Sequence, residues 1–212
     1  MRKSEILILF MVAMSFVAGY FLYPQLPEKM ASHWNVQGEV DGYVSRFWGA
    51  FLMPIIALVM FLIFSFIPRI DPMKENIEKF RNYFDGFIIL IVLFLFYIYA
   101  LTIFWNFEYI FDIGQVLAPA FAILFYFSGI LISKAKRNWF IGIRTPWTMT
   151  NDIVWDKTHK LGAILFKISG AICLFGLLLP AYAFAFVLAP VILFSIYLII
   201  YSYLEYRKVA GA

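Results

Sequence analysis

Charged residues are scarce in this chain. Asp, Glu, Lys and Arg make up 14% of its 212 residues, whereas about 25% is usual for a soluble domain. Hydrophobic residues reach 64% and aromatic residues 21% of the sequence. Such a composition cannot cover a globular surface with water-compatible side chains. It therefore excludes an ordinary soluble domain and indicates an integral membrane protein.

Cysteine and histidine are almost absent as well. The single cysteine, Cys173, lies within an apolar run and cannot form an intrachain disulfide, so cysteine usage does not report the compartment. His33 has no His or Cys at zinc-ligand spacing, and the other histidine is His159. The Ser-His-Asp, Gly-x-Ser-x-Gly, His-Glu-x-x-His and phosphate-loop patterns are also missing. We therefore expect no catalytic residue, no metal site and no cofactor.

Six apolar runs are long enough to cross the roughly 30 Å hydrocarbon core of a bilayer, which takes about 20 helical residues. They predict helices rather than a barrel, because they are continuous and do not alternate apolar with polar residues. The first run is longer than a signal-peptide core and lacks a cleavage site, so we expect it to be retained. The predicted fold is an all-α membrane protein, a single domain over residues 1–212 with spans at 6–23, 47–67, 87–105, 113–133, 161–179 and 182–203.

The basic residues predict the orientation of these spans. With six alternating crossings, fourteen Lys and Arg residues fall on the side of both termini, two fall on the other side, and Lys167 lies within the fifth span. The positive-inside rule therefore places both termini in the cytoplasm of a multi-pass cell-membrane protein. The net charge of +4 follows from these flanking residues and not from a basic stripe, so no direct nucleic-acid partner is expected.

Two further features of the spans and their short connections bear on function. Pumps and ion-coupled transporters usually keep Asp, Glu or Arg within their spans, and the scarcity of such residues here disfavours that class.

In the loop 68–86, Ile77, Phe80, Tyr83 and Phe84 fall at helical spacing. A short amphipathic helix on the inner leaflet and a solvated linker both fit this pattern.

The predicted outer loop, residues 24–46, is a candidate ligand-binding segment. Gly38 and Gly42 are turn signals. An amphipathic ligand would be recognised by a mixture of aromatic and polar side chains. For the aromatic residues alone, an interfacial belt that only anchors the helices is the favoured alternative. The candidate ligand-binding residues are His33, Trp34, Asn35, Asp41 and Tyr43.

The predicted inner loop, residues 134–160, is the longest polar interval and includes a short helix before the fifth span. Thr148 or Thr150 is expected to cap a helix that continues into that span. Arg144 has fixed donors for lipid phosphate or for a carboxylate such as Asp152. Lys167 either snorkels to the inner interface or lines a polar cavity with Arg144.

Both loops resemble one known family. The outer residues Leu26, Pro27, His33, Trp34, Asn35, Gly38, Asp41, Gly42, Tyr43, Ser45 and Arg46 resemble the domain of unknown function found at the N-terminus of SdpI-type immunity proteins. The inner residues resemble the signature of the same family: Asn138, Gly142, Ile143, Arg144, Thr145, Pro146, Trp147, Thr148, Val154, Trp155, Thr158, His159 and Lys160. Departures are mild: Lys160 and Arg46 exchange one basic residue for another, and Ala31 and Ala163 replace a frequent proline and glycine.

The resemblance implies a membrane immunity protein that protects a cell from a secreted peptide toxin and is not an enzyme. In the founding case, it also implies signalling in which the toxin-engaged membrane protein sequesters a cytoplasmic repressor. The expected partners are thus the lipid bilayer, a toxin outside and a repressor inside. A small-molecule or lipid transporter or channel, and a membrane enzyme, are the alternatives. The sequence does not predict the oligomeric state.

Overall fold

A computed structural model describes residues 2–211. Within this range the chain forms a strand pair and a set of long and short helices. In chain order the elements are α1 (Lys3–Leu22), β1 (Lys29–Trp34), β2 (Val40–Ser45), α2 (Arg46–Ile70), α3 (Lys74–Glu78), α4 (Arg81–Asn106), α5 (Ile113–Lys134), α6 (Pro146–Thr150), α7 (Asp152–Cys173), α8 (Phe175–Leu178) and α9 (Ala183–Ala210). Single 3₁₀ turns at Tyr23–Gln25 and Pro180–Tyr182 complete the connections.

Six segments are long and apolar enough to cross a membrane. They contain α1, α2, α4, α5, α7 with α8, and α9, which confirms the six predicted spans and a multi-pass membrane protein. Six crossings bring both chain ends to the same side of the bundle. We call this side the terminal face, and the side with the β1–β2 strand pair the hairpin face.

The predicted outer loop folds as an antiparallel hairpin. Its turn is held by Asn35, whose Oδ1 accepts hydrogen bonds from the amides of Gln37 and Glu39, both at 3.0 Å. The hairpin is fixed to α4 by Asn106, which accepts from Ala31 N at 2.8 Å and donates to Ala31 O at 3.0 Å. All six membrane segments are therefore helical, and the hairpin is the one β-sheet within residues 2–211.

The long helices form two groups of three, α1–α2–α4 and α5–α7–α9, which meet where α4 packs against α5. The most extensive contact joins α5 to α7. A methyl group added at Gly129 of α5 would lie 2.6 Å from the carbonyl oxygen of Ala163 in α7. Close helix packing in membranes depends on such small residues, and Ala163 does not prevent it here.

The connection 68–86 packs into the bundle on the terminal face. Ile77, Phe80 and Phe84 are buried in the main apolar cluster, while Tyr83 is exposed. The segment therefore contains a short helix, α3, as one of the two alternatives expected, but its apolar side chains pack into the bundle, and it is not a solvated linker. Its apolar side chains cover the end of the α1–α2–α4 group on the terminal face, because α3 and the start of α4 direct these side chains into the bundle.

The start of α7 differs from the prediction that Thr148 or Thr150 would cap it. Asn151 is the N-cap, and its Oδ1 accepts from the amides of Ile153 and Val154 at 2.8 and 3.2 Å. Thr148 is unavailable because it lies within α6, where its hydroxyl accepts the amide of Thr145 at 2.9 Å and donates to Ile143 O at 2.8 Å. The chain ends α6 at Thr150 and passes through an extended Asn151 before α7 begins.

Candidate functional site

The inner signature begins with a turn built around Asn138, which is fully buried. Its Oδ1 accepts from the amides of Phe140 and Ile141 at 2.9 and 2.7 Å. Its Nδ2 donates to the carbonyls of Lys136 and Ile141 at 2.8 and 2.9 Å. Every hydrogen-bonding group of the amide is thus engaged by the loop itself. Asn138 fixes the shape of the loop and offers nothing to a partner.

Trp155 and His159, one turn apart on α7, form the buried centre of the loop. Their rings stack with centroids 3.8 Å apart, and the indole Nε1 of Trp155 donates to Ala135 O at 3.0 Å. Nε2 of His159 accepts the amide of Ile143 at 3.0 Å, and Nδ1 lies 2.8 Å from Trp155 O. Because Nε2 accepts, Nδ1 must carry the proton and donate, so the imidazole is neutral.

Gly142 lets the loop approach this ring pair. Its φ of +115° lies in a region that side chains with a Cβ rarely adopt. A methyl group at this position would lie 2.4 Å from Nε2 of His159. The glycine therefore allows both the backbone conformation and the hydrogen bond from Ile143 to the imidazole.

The short helix α6 attaches the loop to α9. The hydroxyl of Thr145 caps α6 by accepting the amide of Thr148. The same hydroxyl lies 3.0 Å from the hydroxyl of Ser202 on α9. Pro146 occupies the first turn of α6, where a missing amide hydrogen costs nothing. The ring of Trp147 packs against Tyr203 with centroids 5.1 Å apart. Thr145, Pro146 and Trp147 therefore join the loop to the last span.

Arg144 and Lys160 are the exposed basic members of the signature. The guanidinium of Arg144 donates to the carbonyl of Trp139. Asp152, one of the carboxylates considered for Arg144, instead pairs with Arg137 at 2.9 Å. Thr158 is fully buried on α7, and its hydroxyl has no hydrogen-bond partner in residues 2–211. The structure thus divides the signature into a buried scaffold and a small exposed basic surface.

Lys167 lies deeper on α7 than these residues. Its ammonium is 5.7 Å from the ring centre of Tyr126 on α5. This is the geometry of a cation–π contact, which partly compensates for the removal of a charge from water. Lys167 therefore interacts with an aromatic ring and not with Arg144.

The hairpin presents three of its five candidate residues to solvent. His33 and Asp41 are exposed, and Nδ1 of His33 lies 2.5 Å from Oδ1 of Asp41. Tyr43 is exposed, with the ammonium of Lys29 5.0 Å from its ring centre. Trp34 packs edge-on against Trp105 at 5.4 Å. Since Asn35 holds the turn, the exposed candidate surface consists of His33, Asp41 and Tyr43.

An ion-pair cluster on the terminal face was not singled out by the sequence analysis. Asp85 is buried and accepts from Ser4 Oγ at 2.9 Å. It also pairs with Arg2 at 2.9 Å and Arg81 at 2.7 Å. The pair of Arg81 and Asp85 could have been predicted, because residues four apart on a helix lie next to each other. The contact of Asp85 with Arg2 could not, because the two residues are far apart in sequence. This cluster locks α1 onto α4.

Glu205 plays a similar part in the other half of the bundle. It is buried on α9 and pairs with Lys157 of α7 at 2.7 Å and with Lys208 at 2.6 Å. The fifth and sixth spans are thereby fixed to one another on the terminal face. Within residues 2–211, no group of three or more His, Cys, Asp and Glu residues is placed to hold a metal ion.

The two loops coincide with two family profiles. The profile of the domain of unknown function DUF1648 matches residues 10–58, which contain the hairpin. The profile of the SdpI/YfhL protein family matches residues 134–202, which contain the whole inner signature. Both motifs occur in the order and at the positions that the resemblance implied. The chain therefore resembles the SdpI/YfhL family in both of its loops.

A curated relative extends the family match to the whole chain. The "Immunity protein SdpI" of Bacillus subtilis (strain 168) is 24% identical over 211 residues, covering 99% of each chain. The similarity therefore includes all six spans and both loops. No solved structure matches significantly. The resemblance to the SdpI/YfhL family thus rests on sequence, and the structure shows how the inner signature is folded.

Proposed function

We propose that this chain is a membrane immunity protein that protects its cell from a secreted, membrane-active peptide toxin. The observation that carries the proposal is the match to an immunity protein along 99% of both chains. A protein similar only in its spans would share a fold class. Similarity that includes both loops also covers the exposed surfaces through which a peptide and a cytoplasmic protein would be contacted.

The hairpin face is the side we assign to the toxin. The excess of basic residues on the terminal face favours a cytoplasmic location for that face. The hairpin then faces outward, and His33, Asp41 and Tyr43 offer an imidazole, a carboxylate and an aromatic ring together. Amphipathic peptides bind through such mixtures of aromatic and fixed polar groups. Trp34, which packs against Trp105, and Asn35, which holds the turn, fix the hairpin that presents this surface.

The terminal face is the side we assign to a cytoplasmic repressor, as the family resemblance implies. Arg144 and Lys160 are exposed there, and the aromatic side chain of Trp139 is 52% exposed beside Arg144. Arginine and tryptophan are enriched among the residues that dominate protein–protein binding energy. The buried residues Asn138, Trp155, Thr158 and His159, together with the half-buried Gly142, then position this surface. The assignment requires no chemical reaction, so the proposed role is not enzymatic.

Survival of toxin-challenged cells tests the proposal. A sensitive bacterium would express the chain and be challenged with the peptide toxin against which the Bacillus subtilis relative gives immunity. We expect wild-type protein to restore growth, and Asp41→Asn to reduce survival because it removes the carboxylate charge beside His33. Ser45→Ala, an exposed change on the same strand, is the matched control and should protect fully.

Membrane abundance of each variant would be measured in the same cells. Wild-type survival no better than that of cells with an empty vector would contradict an immunity role against this toxin. Full protection by Asp41→Asn would leave immunity in place and remove the His33–Asp41 pair from the toxin surface.

A further inference from the structure

A groove of about 710 Å³ opens on the hairpin face, and none of the exposed candidate residues His33, Asp41 and Tyr43 lines it. The hairpin turn forms one end, at Gln37 and Gly38, and the first three turns of α9 form its long wall. Asp112, the N-cap of α5, lies at its border. The groove therefore begins at the surface of the hairpin face and continues along a helix that spans the membrane.

The wall of the groove is shaped to receive another helix. Ala181, Ala185 and Ala189 line it at steps of four residues and are exposed. Residues four apart share one helix face. The larger exposed side chains of Leu188 and Ile192 also line the groove. In membranes, rows of small residues let a second helix backbone approach closely, and here the cavity leaves space for it.

The length of the groove distinguishes between possible occupants. From its first residue, Ala183, to Ile192, α9 rises about 14 Å at roughly 1.5 Å per residue. This is about half of the roughly 30 Å hydrocarbon core. A spanning helix from a second copy would extend beyond the groove through the other half of the core. A peptide inserted from the hairpin side to mid-bilayer would fill the groove.

The charge of the hairpin face favours a cationic occupant. The residues outside the spans on this side include five acidic and two basic side chains, namely Glu28, Glu39, Asp41, Glu108 and Asp112 against Lys29 and Arg46. At the groove itself, Oδ1 of Asp112 accepts the amide of Gln115 at 2.7 Å, and the side chain is exposed. Its charge is therefore free to attract an amine. An anionic phospholipid headgroup would be repelled at the same position.

We propose that this groove binds a cationic, amphipathic peptide as a helix inserted to mid-bilayer, with its charged end at Asp112 and its apolar face against Ala185. The inference deepens the proposed function and rests on it for the biological source of the peptide. It adds the binding position and the chemical class of the ligand. The His33–Asp41 surface of the hairpin would contact only the part of the peptide that stays outside the membrane.

A fluorescence titration tests the binding position directly. The protein would carry Cys173→Ala and Gln37→Cys, with an environment-sensitive fluorophore on the new thiol at the exposed end of the groove, in nanodiscs of zwitterionic phospholipid. The probe is a synthetic Leu/Lys peptide of amphipathic helical design. We expect a saturable emission shift, and a severalfold weaker apparent affinity with Asp112→Asn. Asparagine keeps the helix cap and removes only the charge.

The matched control places the fluorophore on Leu193→Cys, which is exposed on α9 and does not line the groove. Equal, non-saturable responses at both positions would mean that the peptide only partitions into the bilayer, and would overturn the inference. A shift at position 37 that follows protein density without peptide would identify a second copy as the occupant and would overturn it as well.

The survival assay separates failure of this inference from failure of the proposed function. Ala185→Trp fills the groove and should abolish protection, while Leu193→Trp should preserve it. If wild-type protein protects and Ala185→Trp protects equally, the groove is not the toxin site, although immunity stands. If wild-type protein gives no protection but the label at position 37 reports saturable binding, immunity is contradicted and the peptide groove is supported.

Discussion

Replacing Trp155 by alanine should destabilise the protein by about 3–5 kcal/mol, the range found for large aromatic residues removed from packed interiors. The side chain is almost completely buried and stacks on His159. Its removal would leave a cavity between the inner loop and the main apolar cluster, of which Trp155 is a member. It would also leave Ala135 O without the indole donor.

Thermal unfolding of the purified protein in detergent micelles, followed by circular dichroism, measures this effect. Trp139→Ala is the matched control, because Trp139 lies in the same loop with its side chain exposed. A surface change of this kind is expected to stay within about 0.5 kcal/mol of wild type. Similar melting temperatures for Trp155→Ala and wild-type protein would show that the indole is not packed as described.

Gly142→Ala should disrupt the inner loop although it adds only one methyl group. A residue with a Cβ held in this part of φ space costs on the order of 1–3 kcal/mol. The methyl group would in addition meet the imidazole of His159, which is fixed by its stack on Trp155. We expect the loop to shift and the hydrogen bond from Ile143 to His159 to be lost, with a lower melting temperature and faster proteolysis of residues 135–151.

Gly86→Ala is the control for this change. Gly86 lies in α4, and a methyl group there would meet nothing within 4 Å. Alanine favours a helix over glycine by about 0.8–1.0 kcal/mol, so this variant should be as stable as wild type or slightly more stable. Proteolysis of residues 135–151 at wild-type rates in Gly142→Ala would contradict the close approach of the loop to His159.

The six spans were predictable because the length and continuity of apolar runs report directly on the thickness of a bilayer. The hairpin was not predicted, although Gly38 and Gly42 indicated turns. Its strands are short, and Asn106, far away in sequence, holds them on α4. The burial of Ile77 and Phe84 was missed for a related reason. Helical spacing indicates an apolar face and does not identify what covers it.

The candidate functional site was likewise only partly predictable from the sequence. Family resemblance identified the inner signature but not the separate parts played by its members. Asn138 and His159 are buried and use their polar atoms within the loop, whereas Arg144 remains exposed. Pairings such as Arg137 with Asp152 depend on where the chain turns between α5 and α7. The groove beside α9 was likewise inaccessible to sequence reasoning, because the hairpin that closes its end is distant in the chain.

Both proposals depend on the hairpin face being extracellular, and thiol labelling in intact cells measures this most directly. Cysteines would be introduced singly as Gln37→Cys at the hairpin turn and Thr150→Cys on the terminal face; both positions are exposed. The native Cys173 is buried and provides a silent background. An impermeant maleimide should label position 37 in intact cells and position 150 only after permeabilisation. Labelling of position 150 in intact cells, with position 37 silent, would contradict the account.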